Sequence, residues 1–323
     1  EATSVHWHGF LIPNGMDGVS GLNQPKIEPG ETYAYEFTLR QTGTLMYHPH
    51  FDEMVQIAMG MHGFFIIHPR DQAVRRVDRD FAIFLNEWSI KPGTSTPDPT
   101  VMLDFNTFTM NSKVFPATTP MLVRTGDRVR IRLANLTMDS HPIHVHGHLF
   151  YVTGTDSGPI PRTAWIPENT ENVPVGTTRD IEWTADNPGD WAFHCHKTHL
   201  VHHVMNQMGH DLPNLLGVDT GDVPAKINEL VPGTMVMGQT GMGVMAEHQM
   251  PAPRNSIPMR GGIGPYGPID MGGMFTIIKV RDDYAGGDDP GWYQPPRGTV
   301  AWKVDSEPPP VRAPQEERRR PAG

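Results

Sequence analysis

Seventeen histidines, nineteen methionines and one cysteine stand out among the 323 residues. Imidazole, thioether and thiolate are the side chains that hold soft or borderline metals. Five His-x-His pairs occur, His6/His8, His48/His50, His144/His146, His146/His148 and His194/His196, where random placement predicts about 0.9. In a strand, residues i and i+2 project from one face, so each pair delivers two imidazoles to one metal region while the residue between points away. In His194-Cys195-His196 this alternation aims the lone thiolate at a second site across the strand, one residue of backbone from the imidazoles, as an electron bridge requires. His141 lies three before His144; in an extended segment it joins the face of Cys195, and His144 and His146 join the other. Two centres separate. Cys195, His141, a later His and a Met make the two-His, one-Cys set with a weak axial thioether that suits blue copper. His6, His8, His48, His50, His144, His146, His194 and His196 are more imidazoles than one zinc or iron uses, and imply several copper ions.

Such ligands need strands to carry them. Thr32 to Leu39, Gly63 to His68 and Phe81 to Trp88 are alternating or β-branched runs bounded by Pro and Gly, and read as strands of a first β-domain over 1–100. Pro-Gly-Thr-Ser-Thr-Pro-Asp-Pro after Lys91 reads as a linker. A second β-domain over 101–305 takes strands at Met121 to Arg124, Arg128 to Leu133, Leu149 to Thr153, Arg179 to Thr184, Trp191 to Cys195 and Met274 to Val280, interrupted by a Met/Gly/Pro-rich insertion over 209–273. The end, 306–323, is Pro-rich and then basic, and is expected to be a disordered tail. Gly 33 and Pro 32 favour turn-rich β structure over a helical bundle, and every apolar run is too short for a membrane span. A net charge of -10 without a basic stripe excludes nucleic acid as a partner.

His-Trp-His-Gly at 6–9, His-Pro-His at 48–50, His-Pro-Ile-His-Val-His-Gly at 141–147 and His-Cys-His at 194–196 resemble, in order, the four signatures of multicopper oxidases. The resemblance covers most of 1–208, with Met271 to Val280 similar to the closing strand. It implies an all-β chain of two cupredoxin-like Greek-key β-barrel domains, with His6 and His144 on a type 2 copper and His8, His48, His50, His146, His194 and His196 on a type 3 pair. The type 1 copper falls in domain two, on His141 and Cys195. The first domain has no Cys, so the chain looks like the two-domain laccase-type subclass, with four copper ions per subunit. That subclass shares its trinuclear cluster between neighbouring subunits, which implies a homotrimer, a periplasmic or secreted setting, and O2 and a small reducing substrate as partners. Asp17 matches an acid kept near the cluster and is the candidate proton donor, although an Asp in Met-Asp-Gly also suits a turn.

The chain departs from the pattern after Cys195. Leu200 stands where the type 1 His is expected; His203 with Met208 keeps the next interval and is preferred over His199 with Met205. The strands that precede the His6 strand in relatives are missing, which would leave an unpaired edge. Residues 235–274 hold eight Met where the chain average predicts about 2.4, so the insertion either captures Cu(I) or packs irregular gaps. His148 reads as a rim residue, Glu53 is a weaker acid candidate, and His62, His68, His210 and His248 read as ordinary histidines. The rivals to an oxidase are a copper-buffering or copper-tolerance protein and a copper nitrite reductase, which leaves most of the His-x-His pairs unexplained.

Overall fold

A computed structural model describes residues 1–71, 76–90, 94–102, 105, 107–197, 226, 229–230, 262–269 and 271–303. In chain order these form β1 (Val5–His8), β2 (Gly43–Pro49), a short helix α1 (Glu53–Ala58), β3 (Gly63–Ile67), β4 (Arg79–Trp88), β5 (Thr107–Met110), β6 (Met121–Arg124), β7 (Arg128–Asn135), β8 (His141–Val145), β9 (Phe150–Thr155), β10 (Gly158–Pro159), β11 (Ile166–Glu168), β12 (Thr170–Val173), β13 (Thr177–Thr184), β14 (Gly189–Cys195), β15 (Ile263–Gly264), β16 (Gly267–Pro268) and β17 (Phe275–Arg281). No helix among the described residues is long and apolar enough to cross a membrane.

The smaller unit is the antiparallel sheet β1-β2-β3. The larger unit packs the sheet β10-β9-β13-β7-β4-β5, with β11 on β9, against the sheet β12-β8-β14-β17-β6. Val129, Ile131 and Leu133 of β7 and Ile181 and Trp183 of β13 meet Ile143 and Val145 of β8, Phe193 and Cys195 of β14 and Ile278 and Val280 of β17 in one buried cluster. Apolar area removed from water, at roughly 25 cal/mol per Å², holds the two sheets together. The strand period then does the positioning. With His141, Ile143, Val145, Phe193 and Cys195 turned inward, His144, His146, His194 and His196 must turn to the other face.

Two expectations are corrected. Phe81 to Trp88 does not close the first unit: β4 pairs in parallel with β7, Phe81 opposite Ile131, and antiparallel with β5, so it is a central strand of the larger sandwich. The described part of the Pro-rich stretch, 94–99, therefore lies between neighbouring strands of one sheet, with the Asp98 N–H donating to Ser89 O at 2.8 Å, and the boundary near residue 100 falls inside the second unit. Turn composition marks a chain reversal, and a reversal can lie within a domain as well as between two. Thr32 to Leu39 alternates in burial but joins no backbone ladder. Its inward rings pack instead: Tyr35 and Phe37 each lie 5.4 Å from Trp7, and the Tyr35 hydroxyl accepts the Val5 N–H at 3.2 Å and donates to Gln24 Oε1 at 2.7 Å.

The two units are docked by buried polar chemistry. The Thr44 hydroxyl of β2 donates to Asp180 Oδ1 of β13 at 2.6 Å and accepts from Arg132 Nη1 at 2.6 Å. Gly43, with φ of 149°, lets the β2 end approach β10, since a Cβ there would lie 2.7 Å from the Gly158 Cα. Beside this joint Glu182, 2% exposed, accepts from Arg128 Nη2 at 2.6 Å, Arg130 Nη2 at 2.8 Å and Thr153 Oγ1 at 3.1 Å. Removing one partner of a buried pair strands the other charge. Glu182→Ala should therefore lower unfolding free energy by about 3–5 kcal/mol in urea denaturation; an unchanged midpoint would show that Arg128 and Arg130 find other acceptors.

Candidate metal centre

The first imidazole group sits on β1 and β2. His6 lies directly across the ladder from His48, and His8 and His50 extend the two rows. His6, His8 and His48 place one ring nitrogen each within 4.8 Å of one another, and the His50 ring centroid is 5.4 Å from that of His6. His8 Nδ1 and His48 Nε2 face each other at 3.2 Å. Two lone pairs at that separation repel unless a proton or a cation lies between them. The remaining nitrogens are engaged by backbone: His6 Nδ1–H donates to Asp17 O at 2.8 Å and His48 Nδ1–H to Pro49 O at 2.9 Å. Those carbonyls fix the tautomers and leave the Nε2 lone pairs aimed at a common point.

Asp17 is held in place by Gly18, whose φ of 87° lets the turn close so tightly on β1 that a Cβ would lie 1.7 Å from Val5 O. Its carboxylate Oδ1 lies 3.6 Å from His6 Nδ1, so Asp17 touches the group through both main chain and side chain. Glu53, the first residue of α1, brings Oε1 to 3.4 Å from His48 Nδ1. Burial and the neighbouring imidazoles hold His8 and His48 below the usual histidine range, the neutral state a ligand needs. All four rings line a cavity of about 640 Å³ walled by Met54, Ile57, Phe105, Met138 and Glu87.

The second group sits on the outward face of β8 and β14. His144 pairs across the ladder with His194, their ring centroids 5.6 Å apart; His146 Nε2 lies 3.1 Å from His194 Nε2, and the His196 ring is 5.6 Å from that of His144. Again backbone carbonyls take the far nitrogens: His144 Nδ1–H donates to Asn169 O at 2.7 Å and His194 Nδ1–H to Cys195 O at 2.9 Å. Among the described residues, the imidazole contacts thus fall into two sets of four, one on each unit.

Behind the second group, inside the sandwich, His141 Nδ1 lies 3.6 Å from Cys195 Sγ, both residues at 0% exposure. One ion can bond both atoms across that gap. Burial pushes the Cys195 thiol up to about 12, and burial followed by the Lys197 ammonium pulls His141 down to about 3, so without a metal both are neutral. A metal entering here displaces the thiol proton. Thiolate plus imidazole fits a soft or borderline ion, and the clustered imidazoles fit several; the donor chemistry is that of copper.

His203 and Met208, like His199, Met205, His210, His248 and the Met residues from 235 to 259, lie outside the described residues. His62 and His148 have structural surroundings: His62 accepts from Asn86 Nδ2 at 2.9 Å beside Phe84, and His148 packs between Trp183 and Trp191. Sequence reasoning missed Glu87. Its Oε1 lies 3.3 Å from His141 Nε2, and burial pushes its carboxyl up to about 7. The available signal was the inward series Ile83, Leu85, Glu87 on one strand face, which ends on a carboxylate.

Two family profiles described as multicopper oxidase match residues 1–72 and 91–215, together well over half of the chain. The chain is 42% identical over 89 residues to copper resistance protein A of Escherichia coli, which is 28% of this chain and 14% of that one. It is 33% identical over 203 residues to laccase-1 of Botryotinia fuckeliana, 58% of this chain and 34% of that one. The chain thus spans about a third or less of the length of these curated relatives. Among solved structures, the blue copper oxidase from Nitrosomonas europaea matches with a TM-score of 0.59 at 26% identity, over 87% of this chain and 70% of that one.

Proposed function

Because the chain belongs to the multicopper oxidase family, we propose that it is a two-domain, laccase-like oxidase that couples one-electron oxidation of a small donor to four-electron reduction of O2 to water. The observation that carries this reading is the arrangement of two complementary four-imidazole groups with a Cys–His pair directly behind one of them. His141 and Cys195, joined by His203 and Met208, are assigned to type 1 copper; His6 and His144 to type 2; His8, His48, His50, His146, His194 and His196 to the type 3 pair. When bound, copper supplies one-electron redox chemistry and a multinuclear site for O2.

The chain's own residues do the rest. Cys195 is the covalent bridge between the inward site and His194 and His196, the shortest backbone route from one face of β14 to the other. Asn169, Pro49 and Asp17 carbonyls hold ring tautomers so that Nε2 faces inward to each group. Asp17 is assigned the hand-over of protons to the cluster, a role its 3.6 Å separation from His6 supports. A thioether ligand from Met208 would be weak, and would suit the site to easily oxidised phenols, aromatic amines or metal ions as donors. A periplasmic or secreted setting is carried over from the family resemblance.

As the family resemblance suggests, neighbouring subunits unite the two imidazole groups in a cyclic homotrimer. The similarity to copper resistance protein A favours a second reading, copper tolerance through oxidation or buffering of cuprous ion. Anaerobic copper loading followed by metal analysis and an oxygen electrode separates the cases: about four copper ions per chain with O2 uptake on a phenolic donor are expected. About two per chain would indicate a nitrite-reductase-like site, and full loading without O2 uptake a buffer.

A further inference from the structure

A buried carboxylate without a cationic partner is costly, and Glu87 is one. It projects from β4 into the sandwich with its side chain at 0% exposure; the Met138 N–H and the Thr137 hydroxyl approach its carboxylate, but neither oxygen has a hydrogen bond of good geometry among the described residues. The nearby Lys197 ammonium is ion-paired with Asp139. The group that Glu87 does face is His141 Nε2, 3.3 Å from Oε1.

The tautomer of His141 follows from its surroundings. Its Nδ1 faces Cys195 Sγ at 3.6 Å, and the Thr137 hydroxyl lies 3.1 Å from Nε2. That hydroxyl is committed as a donor to Asn135 Oδ1 at 2.6 Å or Asp139 O at 2.9 Å. Among the described residues, the Thr137 oxygen and the Glu87 carboxylate then face Nε2 as acceptors, so the ring proton sits there and Nδ1 carries the lone pair. A carboxylate beside the far N–H of a ligating imidazole locks the ring and strengthens the ligating nitrogen as a donor. Copper favours the more strongly donating site in its oxidised state.

We propose that Glu87 is the positioning residue of the type 1 site, setting the orientation and donor strength of His141 through its Nε2–H and so holding the site's potential down. This rests on reading Cys195 and His141 as type 1 ligands. It also gives β4 a function in the sandwich to which its pairing assigns it: the parallel register with β7 carries the strand to the His141 end of the core.

The test uses the copper-loaded full chain at about pH 8, with E87Q and E87L read by visible and EPR spectra, type 1 midpoint potential, type 1 copper affinity and thermal midpoint of the apoprotein. E87Q should keep the blue band and shift the potential upward. E87L should bind type 1 copper about 10–100-fold more weakly, with the other copper ions retained and the apoprotein as stable as wild type or more so, because an unpaired buried charge has been removed. A structural role alone would move the apoprotein midpoint and leave the potential unchanged. Wild-type potential in E87Q overturns the proposal, and settles it even if E87L does not fold. Absence of a blue band in wild type would instead overturn the type 1 assignment on which the proposal stands.

Discussion

In copper-loaded protein, Cys195→Ser is expected to abolish the blue charge-transfer band, remove one copper per chain and cut O2 uptake by roughly a thousandfold or more. The size of the effect follows from position. Cys195 is the one thiol in the chain, and it lies at 0% exposure between His141 on its own face and His194 and His196 on the other. Serine keeps the volume and can bond His141 Nδ1, and the backbone N–H of residue 195 still donates to Met274 O. The apoprotein should therefore unfold within about 1 kcal/mol of wild type. What serine cannot supply is a soft thiolate, the ligand that gives both the blue band and the strong coupling to the adjacent imidazoles. Copper at the eight imidazoles should remain, visible in EPR as a signal without the blue-site signature. A variant that kept the blue band would place the thiolate-dependent chemistry elsewhere and sink the assignment.

The parity of the ligands was legible in the sequence because strand alternation is a local rule. His141, Ile143 and Val145 face in while His144 and His146 face out, and Phe193 and Cys195 face in while His194 and His196 face out, as the i, i+2 spacing requires. Strand partnership is not local. Nothing within Arg79–Trp88 states that its partners are β7, some fifty residues on in register, and β5, so sequence order alone attaches the strand to the unit it follows in the chain. The same gap hid Glu87, whose meaning depends on His141 arriving from a different strand of the facing sheet. Thr32 to Leu39 shows the converse: its alternation is real in burial, yet alternation alone supplies no hydrogen-bonding neighbour.

Complementation between two inactive variants is the second large effect expected. His8→Ala disables the first imidazole group and His146→Ala the second, and each variant alone should lose O2 uptake by roughly a thousandfold or more. Co-expressed in equal amounts, they should recover about a quarter of wild-type turnover. In a cyclic assembly each junction joins the first group of one subunit to the second group of the next. A junction works only where an intact first group meets an intact second group, and each occurs half the time. The structure makes this a sharp test, because His8 belongs to the cavity of β1 and β2, whereas His146 stands on the outward face of the larger sandwich against His194. If each chain closed its own cluster, every chain in the mixture would lack one ligand, and no ratio of the two variants could restore turnover. Recovery that appears on co-expression and vanishes on dilution below the assembly threshold would tie the dioxygen chemistry to a junction between subunits.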